Sequence, residues 1–285
     1  MSSDSERPGT LSDKEYWDSV HTGRKGTGIP VYVKAAKKIL GPSTVEMMSS
    51  YEDHLLWRVI YPSFLPDTES SSVIEIGSAP GRHLVRMHEQ LGCEVWGLEY
   101  SQDGAAANRE LFSSSGIDPG HVIEADLFDD GPAGTWSRQF DIVLSRGFIE
   151  HFDDPSDAIE RHLRFLRPGG TLIVSIPNMR GANYIQALLF NRRLITQHNR
   201  EIMALKDFKS LFAPDRLETI FCGYYGTYKA NLFIHRRGPL TGLIKHAAEA
   251  FQAVLNLLFR LVLRDRGFET SAFSPNLLFI GKKKH

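Results

Sequence analysis

The chain has 285 residues, of which 42% are hydrophobic and 24% charged, enough for one sizeable core and a single domain. Its 33 Lys and Arg nearly cancel its 34 Asp and Glu, so no overall positive field attracts a polyanion; nucleic acid is disfavoured and small molecules gain weight as partners. Cys93 and Cys222 show no pairing pattern and no metal-ligand spacing, and no charge-free stretch reaches the roughly 20 residues of a membrane span. A cytoplasmic protein is expected, with no metal site.

Residues 1–10 are polar and predicted to be disordered; 11–64 read as short helices with turns at Gly26, Gly28, Pro30 and Gly41-Pro42, an N-terminal helical cap. A βαβ series follows over a core at 65–176. Strands are predicted at Ser72–Ile76, Glu94–Glu99, Val122–Glu124, Phe140–Ser145 and Thr171–Ile176, with helices near Gly81–Gln90, Asp103–Ser114 and Ser156–Phe165. Short apolar strands alternating with helices indicate an α/β, doubly wound, Rossmann-like sheet covered on both faces. Residues 177–212 are too long for a simple connection and read as a cap over the substrate. The sixth strand is expected near Tyr228–His235 and the seventh near Asn276–Gly281, with a helical insertion around Leu243–Arg264.

In that insertion Ile244, Ala248, Phe251, Leu255, Leu258 and Val262 recur at helical spacing, opposite Lys245, Glu249, Gln252, Asn256, Arg260 and Arg264. The apolar side is expected to pack on the body or on a second copy in a homodimer; the alternative is membrane contact through residues 243–264.

The stretch VIEIGSAPGRHL, Val73 to Leu84, joins the first strand to a helix through a glycine turn, where backbone approaches a ligand closely and a helix N-terminus is presented. Glycines alone do not choose the nucleotide. Glu75 lies two residues before Gly77, where a carboxylate suits an ammonium and repels a pyrophosphate. The turn Gly77-Ser78-Ala79-Pro80-Gly81 also lacks the three-glycine register that dinucleotides favour. Glu99, ending the second strand, is placed to accept from a ribose diol, and Asp126, just past the third, from an adenine amino group.

This constellation resembles the class I S-adenosylmethionine-dependent methyltransferases, over most of residues 72–176. FDIVLSRGFIEHF, Phe140 to Phe152, followed by LRPGG and IPN, is similar to the branch that includes ubiquinone-type O-methyltransferases. The resemblance implies the sheet order 3-2-1-4-5-7-6 with strand 7 antiparallel, and S-adenosylmethionine as methyl donor with S-adenosylhomocysteine as product. It implies cofactor contacts from Glu75, Gly77, Ser78, Ala79, Gly81, Glu99, Tyr100, Ser101, Asp126, Leu127, Ser145 and Arg146. Ala79 replaces the usual middle glycine.

Methyl transfer is an in-line displacement, so the protein mainly positions the nucleophile and excludes water. A hydroxyl nucleophile needs a proton acceptor, and His151 is the candidate base. Arg146 either pairs with an anionic substrate group or forms a salt bridge with Glu150 or Asp153. His83 fits a role at a helix start better than a catalytic one. Candidate substrate contacts are Tyr16, Trp17 and His21 from the N-terminal cap, Arg146 and His151, and Tyr184, His198 and Asn199 from the later one. The expected acceptor is a small molecule, most simply an oxygen nucleophile. A peptide or protein carboxylate is the next reading, followed by RNA and by a non-catalytic nucleotide-binding protein.

Overall fold

The computed structural model describes residues 9–12, 41–65, 68–234 and 238–284. The expectations for Tyr16, Trp17 and His21 therefore lie outside the described residues. In chain order come α1 (Pro42–Met47), a continuous helix α2 over 51–64 with a π-helical middle, β1 (Ser72–Ile76), α3 (Arg82–Leu91), β2 (Glu94–Glu99) and α4 (Gln102–Ser114). Next are β3 (Val122–Glu124), α5 (Asp130–Thr135), β4 (Phe140–Arg146), α6 (Ser156–Phe165) and β5 (Leu166–Pro177). The remainder holds α7 (Gly181–Phe190), α8 (Arg193–Thr196), α9 (Leu205–Ser210), β6 (Leu217–Tyr225), α10 (Pro239–Val262) and β7 (Asn276–Lys283).

The strands form a seven-stranded sheet in the order β3-β2-β1-β4-β5-β7-β6. β1 to β5 pair in parallel, and β7 runs antiparallel between β5 and β6, as the resemblance implies. Two apolar layers cover the sheet. Ile74 and Ile76 of β1 point into one, with Val143, Leu172, Val174 and Phe279. Val73 points into the other, with Leu84, Ile142, Leu144, Trp57 and Tyr61. Because side chains alternate along a strand, Glu75 shares the face of Val73, and burial leaves it among α2 and α3 rather than in water. That placement sets its chemistry.

Two expectations are corrected. The sixth strand is Leu217–Tyr225, not Tyr228–His235. As an edge strand it lacks a continuous buried run. The more regular-looking segment after it forms turns whose backbone is bonded by side chains: Gln186 Nε2 donates to the Lys229 carbonyl at 2.9 Å, and Gln252 Nε2 to that of Tyr228 at 3.1 Å.

The second correction concerns only the packing of α10 on the body: its polar side faces the body and its apolar side faces outward, where the expected second copy or the alternative membrane contact would meet it. Gln252 and Asn256 are buried, whereas Leu240, Leu243, Phe251, Val254, Leu258, Leu261 and Val262 are exposed. The inversion has a hydrogen-bonding cause. Besides the Tyr228 bond, Gln252 Oε1 accepts the Ala230 N–H at 2.6 Å, and Asn256 Nδ2 donates to the Met48 carbonyl at 3.1 Å. Arg260 reaches His54 Nδ1 at 2.8 Å. Irregular backbone buried beneath a helix needs such partners, and an aliphatic face cannot supply them.

Candidate active site

The turn after β1 is built around Glu99. Its Oε2 accepts the Ala79 N–H at 3.0 Å and its Oε1 accepts the Ser101 N–H at 2.9 Å. The carboxylate thus ties the glycine turn to the start of α4, where Ser101 Oγ caps the helix by accepting from Gly104 N at 3.1 Å. Each carboxylate oxygen has a second lone pair, so two backbone bonds orient the group without exhausting it. Asn108 Nδ2 donates to Ser78 Oγ at 2.6 Å beneath the turn. Gly81 adopts φ 88°, in the left-handed region, and a Cβ there would run into Asn108 Oδ1. At Gly77, φ 70°, a Cβ would lie 3.0 Å from the Phe148 ring. The turn is therefore packed from below by Asn108 and flanked by Phe148.

Glu75 is buried, and its Oε2 has no hydrogen-bond partner among the described residues. Burial pushes its pKa up to about 8, with Arg146 pulling it down and the charge of Glu99 adding to the rise. A buried carboxyl with an open oxygen is a place for a cation or a donor to complete. Arg146 ends β4 in the same electrostatic neighbourhood. Desolvation opposes its charge, but Tyr225, Glu75, Tyr61 and Glu52 more than offset this and hold its pKa above the usual arginine value. The acids acting on it are thus Glu75 and Glu52, not the Glu150 or Asp153 considered from sequence. Burial would raise the pKa of Glu52 as well, yet Lys229 at 2.7 Å, with Arg146 and Asn276, outweighs it and keeps this carboxyl ionised.

His83 is held beside Tyr61 and Trp57. Its Nε2 lies 2.9 Å from the Tyr61 hydroxyl and its ring packs on Trp57 at 4.9 Å. Burial first, then Arg146 and Arg86, lower its pKa well below the ordinary imidazole value. It is a buried ring packed between Trp57 and Tyr61.

His151 belongs to a second cluster, in the turn after β4. Glu150, His151 and His198 each offer a ligand-type atom, and these atoms lie within 4.8 Å of one another. The rings of His151 and His198 are 4.5 Å apart, and His151 Nε2 is 3.9 Å from Glu150 Oε1. Burial lowers the His151 pKa to about 3, with His198 adding to the fall and the Gln197 backbone opposing it. Burial raises that of Glu150 to about 8. Burial thus disfavours the charged form of both groups. Asn199 holds the turn: its N–H donates to the Glu150 carbonyl at 2.6 Å, and its Nδ2 donates to those of Phe152 and Asp153 at 3.1 and 2.9 Å. His198 Nδ1 is 2.7 Å from the Leu194 carbonyl, which fixes the proton on Nδ1 of the neutral ring. Two imidazoles and a carboxyl form a donor set that can accept a proton or hold a divalent cation, although sequence spacing suggested no metal ligand.

The family model described as a methyltransferase domain matches residues 49–219. The chain belongs to this methyltransferase family. Its relatives differ in acceptor. It is 30% identical over 137 residues to the tRNA U34 carboxymethyltransferase of Desulfotalea psychrophila, covering 48% of this chain and 42% of that protein. It is 26% identical over 145 residues to the ubiquinone biosynthesis O-methyltransferase of Pseudomonas entomophila, covering 51% and 60%. The chain spans about half the length of these curated relatives. The solved phosphoethanolamine N-methyltransferase 2 of Haemonchus contortus, in complex with S-adenosyl-L-methionine, shares the fold with a TM-score of 0.52 at 15% identity, covering 90% of this chain and 61% of that one.

Within this methyltransferase domain, the structure groups Glu75, Gly77, Ser78, Ala79, Gly81, Glu99, Ser101 and Arg146 around one turn and places His151, His198 and Asn199 in another. Tyr100 follows Glu99 with its side chain partly exposed. Asp126 Oδ1 accepts from Phe128 N at 2.9 Å, and the Leu127 side chain is core, so only its backbone is free to meet a ligand. The Ser145 hydroxyl is buried without a hydrogen-bond partner among the described residues. Tyr184 lies under Arg200, 4.7 Å from ring centre to guanidinium, which packs it within the cap. Gly97, Asn108, Phe148 and Glu150 were missed from sequence. Gly97 had a readable signal: a glycine inside a strand marks close approach, and a Cβ there would strike Ser78 Oγ.

Proposed function

We propose that the chain is an S-adenosylmethionine-dependent methyltransferase acting on a small molecule through an oxygen nucleophile. The observation that carries this reading is the pairing of Glu99, oriented by two backbone N–H groups, with Glu75, whose buried Oε2 awaits a partner. S-adenosylmethionine, when bound, supplies an electrophilic sulfonium methyl. Glu75 would take its ammonium, Glu99 its ribose diol, and Asp126 with the Leu127 backbone its adenine, while Tyr100 and Ser101 flank the ribose. Arg146 would pair with a carboxylate of donor or acceptor.

The acceptor's position is the main contribution of the protein, because displacement at the methyl needs alignment and a dry site more than covalent help. His151 would receive the acceptor's proton on its neutral ring, with Glu150 and His198 around it. Tyr184, His198 and Asn199 belong to the substrate cap in this reading. The oxygen assignment draws support from the ubiquinone O-methyltransferase relative. Incubating the protein with methyl-labelled S-adenosylmethionine and a host extract split by size tests it. Label in the small-molecule fraction is expected. Protease-sensitive label would make a peptide or protein carboxylate the acceptor, and nuclease-sensitive label would make it RNA.

A further inference from the structure

The inverted helix α10 gives the molecule a face that the methyltransferase site does not use. Leu240, Leu243, Phe251, Val254, Leu258 and Leu261 fall on one side of it, and each is between 47% and 69% exposed. No Asp, Glu, Lys or Arg lies between them on that side; the ionised side chains Lys245, Glu249 and Arg260 are all only partly exposed and turned toward the body or the flank. Helix α7 carries exposed aliphatic side chains of its own. It grips the same segment as α10, Gln186 bonding the Lys229 carbonyl while Gln252 bonds Tyr228 and Ala230. From α7, Ile185 is 56% and Leu189 67% exposed.

Charge distribution identifies what this face meets. Residues 180–200 and 239–266 together contain eight Lys and Arg and two acids, in a chain whose net charge is −1. The two segments thus carry a net charge of +6, and the rest of the chain, which holds the other 25 of the 33 Lys and Arg and the other 32 of the 34 acids, is mildly acidic. Arg180, Arg192, Arg193, Arg200, Arg264 and Arg266 are all exposed. Aliphatic side chains in the middle of a helix with arginines at its margins suit a surface that is apolar inside and anionic outside.

We propose that α10 and α7 dock this methyltransferase on anionic lipid, with α10 lying in the plane of the interface. No described helix is long and apolar enough to cross a membrane, and the hydrogen bonds of Gln252, Asn256 and Arg260 hold the polar side of α10 to the body, so the apolar side stays outward. A second copy covers the aliphatic side chains less well, because a self-paired face brings the arginine margins together. RNA matches the arginines but leaves the aliphatic stripe in water.

Sedimentation of the purified chain with phosphatidylcholine vesicles, with and without phosphatidylglycerol, tests the proposal. Binding is expected to require phosphatidylglycerol, to weaken with added salt, and to fall at least about tenfold in the Phe251→Asp/Leu258→Asp variant. An Arg192→Glu/Arg193→Glu variant keeps the aliphatic stripe and should lose the preference for phosphatidylglycerol. S-adenosylhomocysteine affinity should not change in either variant, which separates lipid docking from the methyltransferase site. Absence of wild-type binding to phosphatidylglycerol vesicles overturns the proposal. So does a dimer in sedimentation equilibrium that Phe251→Asp/Leu258→Asp dissociates, or equal vesicle binding by wild type and both variants.

Discussion

Glu99 and Ala79, twenty residues apart, are joined by a 3.0 Å bond from the Ala79 N–H to Glu99 Oε2. The same carboxylate that would read a ribose therefore also shapes the turn that would cradle the rest of the nucleoside. Glu99→Gln puts an N–H donor against a backbone N–H that needs an acceptor. It should weaken S-adenosylhomocysteine binding by at least about tenfold and cost roughly 1–3 kcal/mol of stability. Calorimetric titration and urea unfolding check the two effects. Lost stability with intact binding would restrict Glu99 to the structural role.

Glu75 predicts a conflict between stability and binding. Its folded pKa, about 8, lies above the ordinary carboxyl value. The folded state thus prefers the protonated acid, and its contribution is fully present below the unfolded pKa and declines as pH rises toward 8. Glu75→Gln should accordingly raise the melting temperature of the ligand-free protein at pH 8, with the gain vanishing near pH 4. Binding a cationic ammonium should draw Glu75 into its ionised form. At pH 7 the wild type should release a proton on binding S-adenosylhomocysteine, seen as a buffer-dependent enthalpy, and Glu75→Gln should not. An identical proton balance in both proteins would remove Glu75 from ligand recognition.

Gly81→Ala places a methyl against Asn108 in a left-handed turn. The expected cost is about 1–3 kcal/mol, read as a lower urea midpoint with unchanged slope. A wild-type midpoint would show that Asn108 gives way without loss.

The cluster around His151 carries the least familiar prediction. With its pKa near 3, the ring is neutral across the working range, so kcat should show no imidazole inflection near pH 6.5 from this residue. His151→Ala should still lower kcat at least about tenfold if the ring receives the acceptor's proton, with little change in the KM for S-adenosylmethionine. Turnover should survive a chelator. Activity lost to chelation and restored by a divalent ion would reassign Glu150, His151 and His198 as metal ligands.

The fold was legible where burial pattern and chain order coincide. β1, β2 and β3 were read to the residue, since each is a short apolar strand bounded by turns. β6 was not, because an edge strand is half solvated and the more regular segment after it is held in turns by Gln186 and Gln252. The apolar period of α10 was legible, but that its polar side turns to the body was not. Periodicity gives two faces of a helix; which one turns inward depended here on distant backbone groups at Met48, Tyr228 and Ala230. The site divides in the same way. Glu75 and Glu99 could be found from strand ends, whereas Asn108 and Glu150 act through contacts or burial that only the folded chain creates. For the same reason the low pKa of His151 could not be read from its place in IEHF.

Binding of the nucleoside is the central event, and calorimetric titration of the purified chain with S-adenosylhomocysteine tests it most directly. A single saturable site that Glu99→Ala abolishes and that NAD does not fill is expected. Absence of heat with S-adenosylhomocysteine, together with saturable binding of NAD, would contradict it.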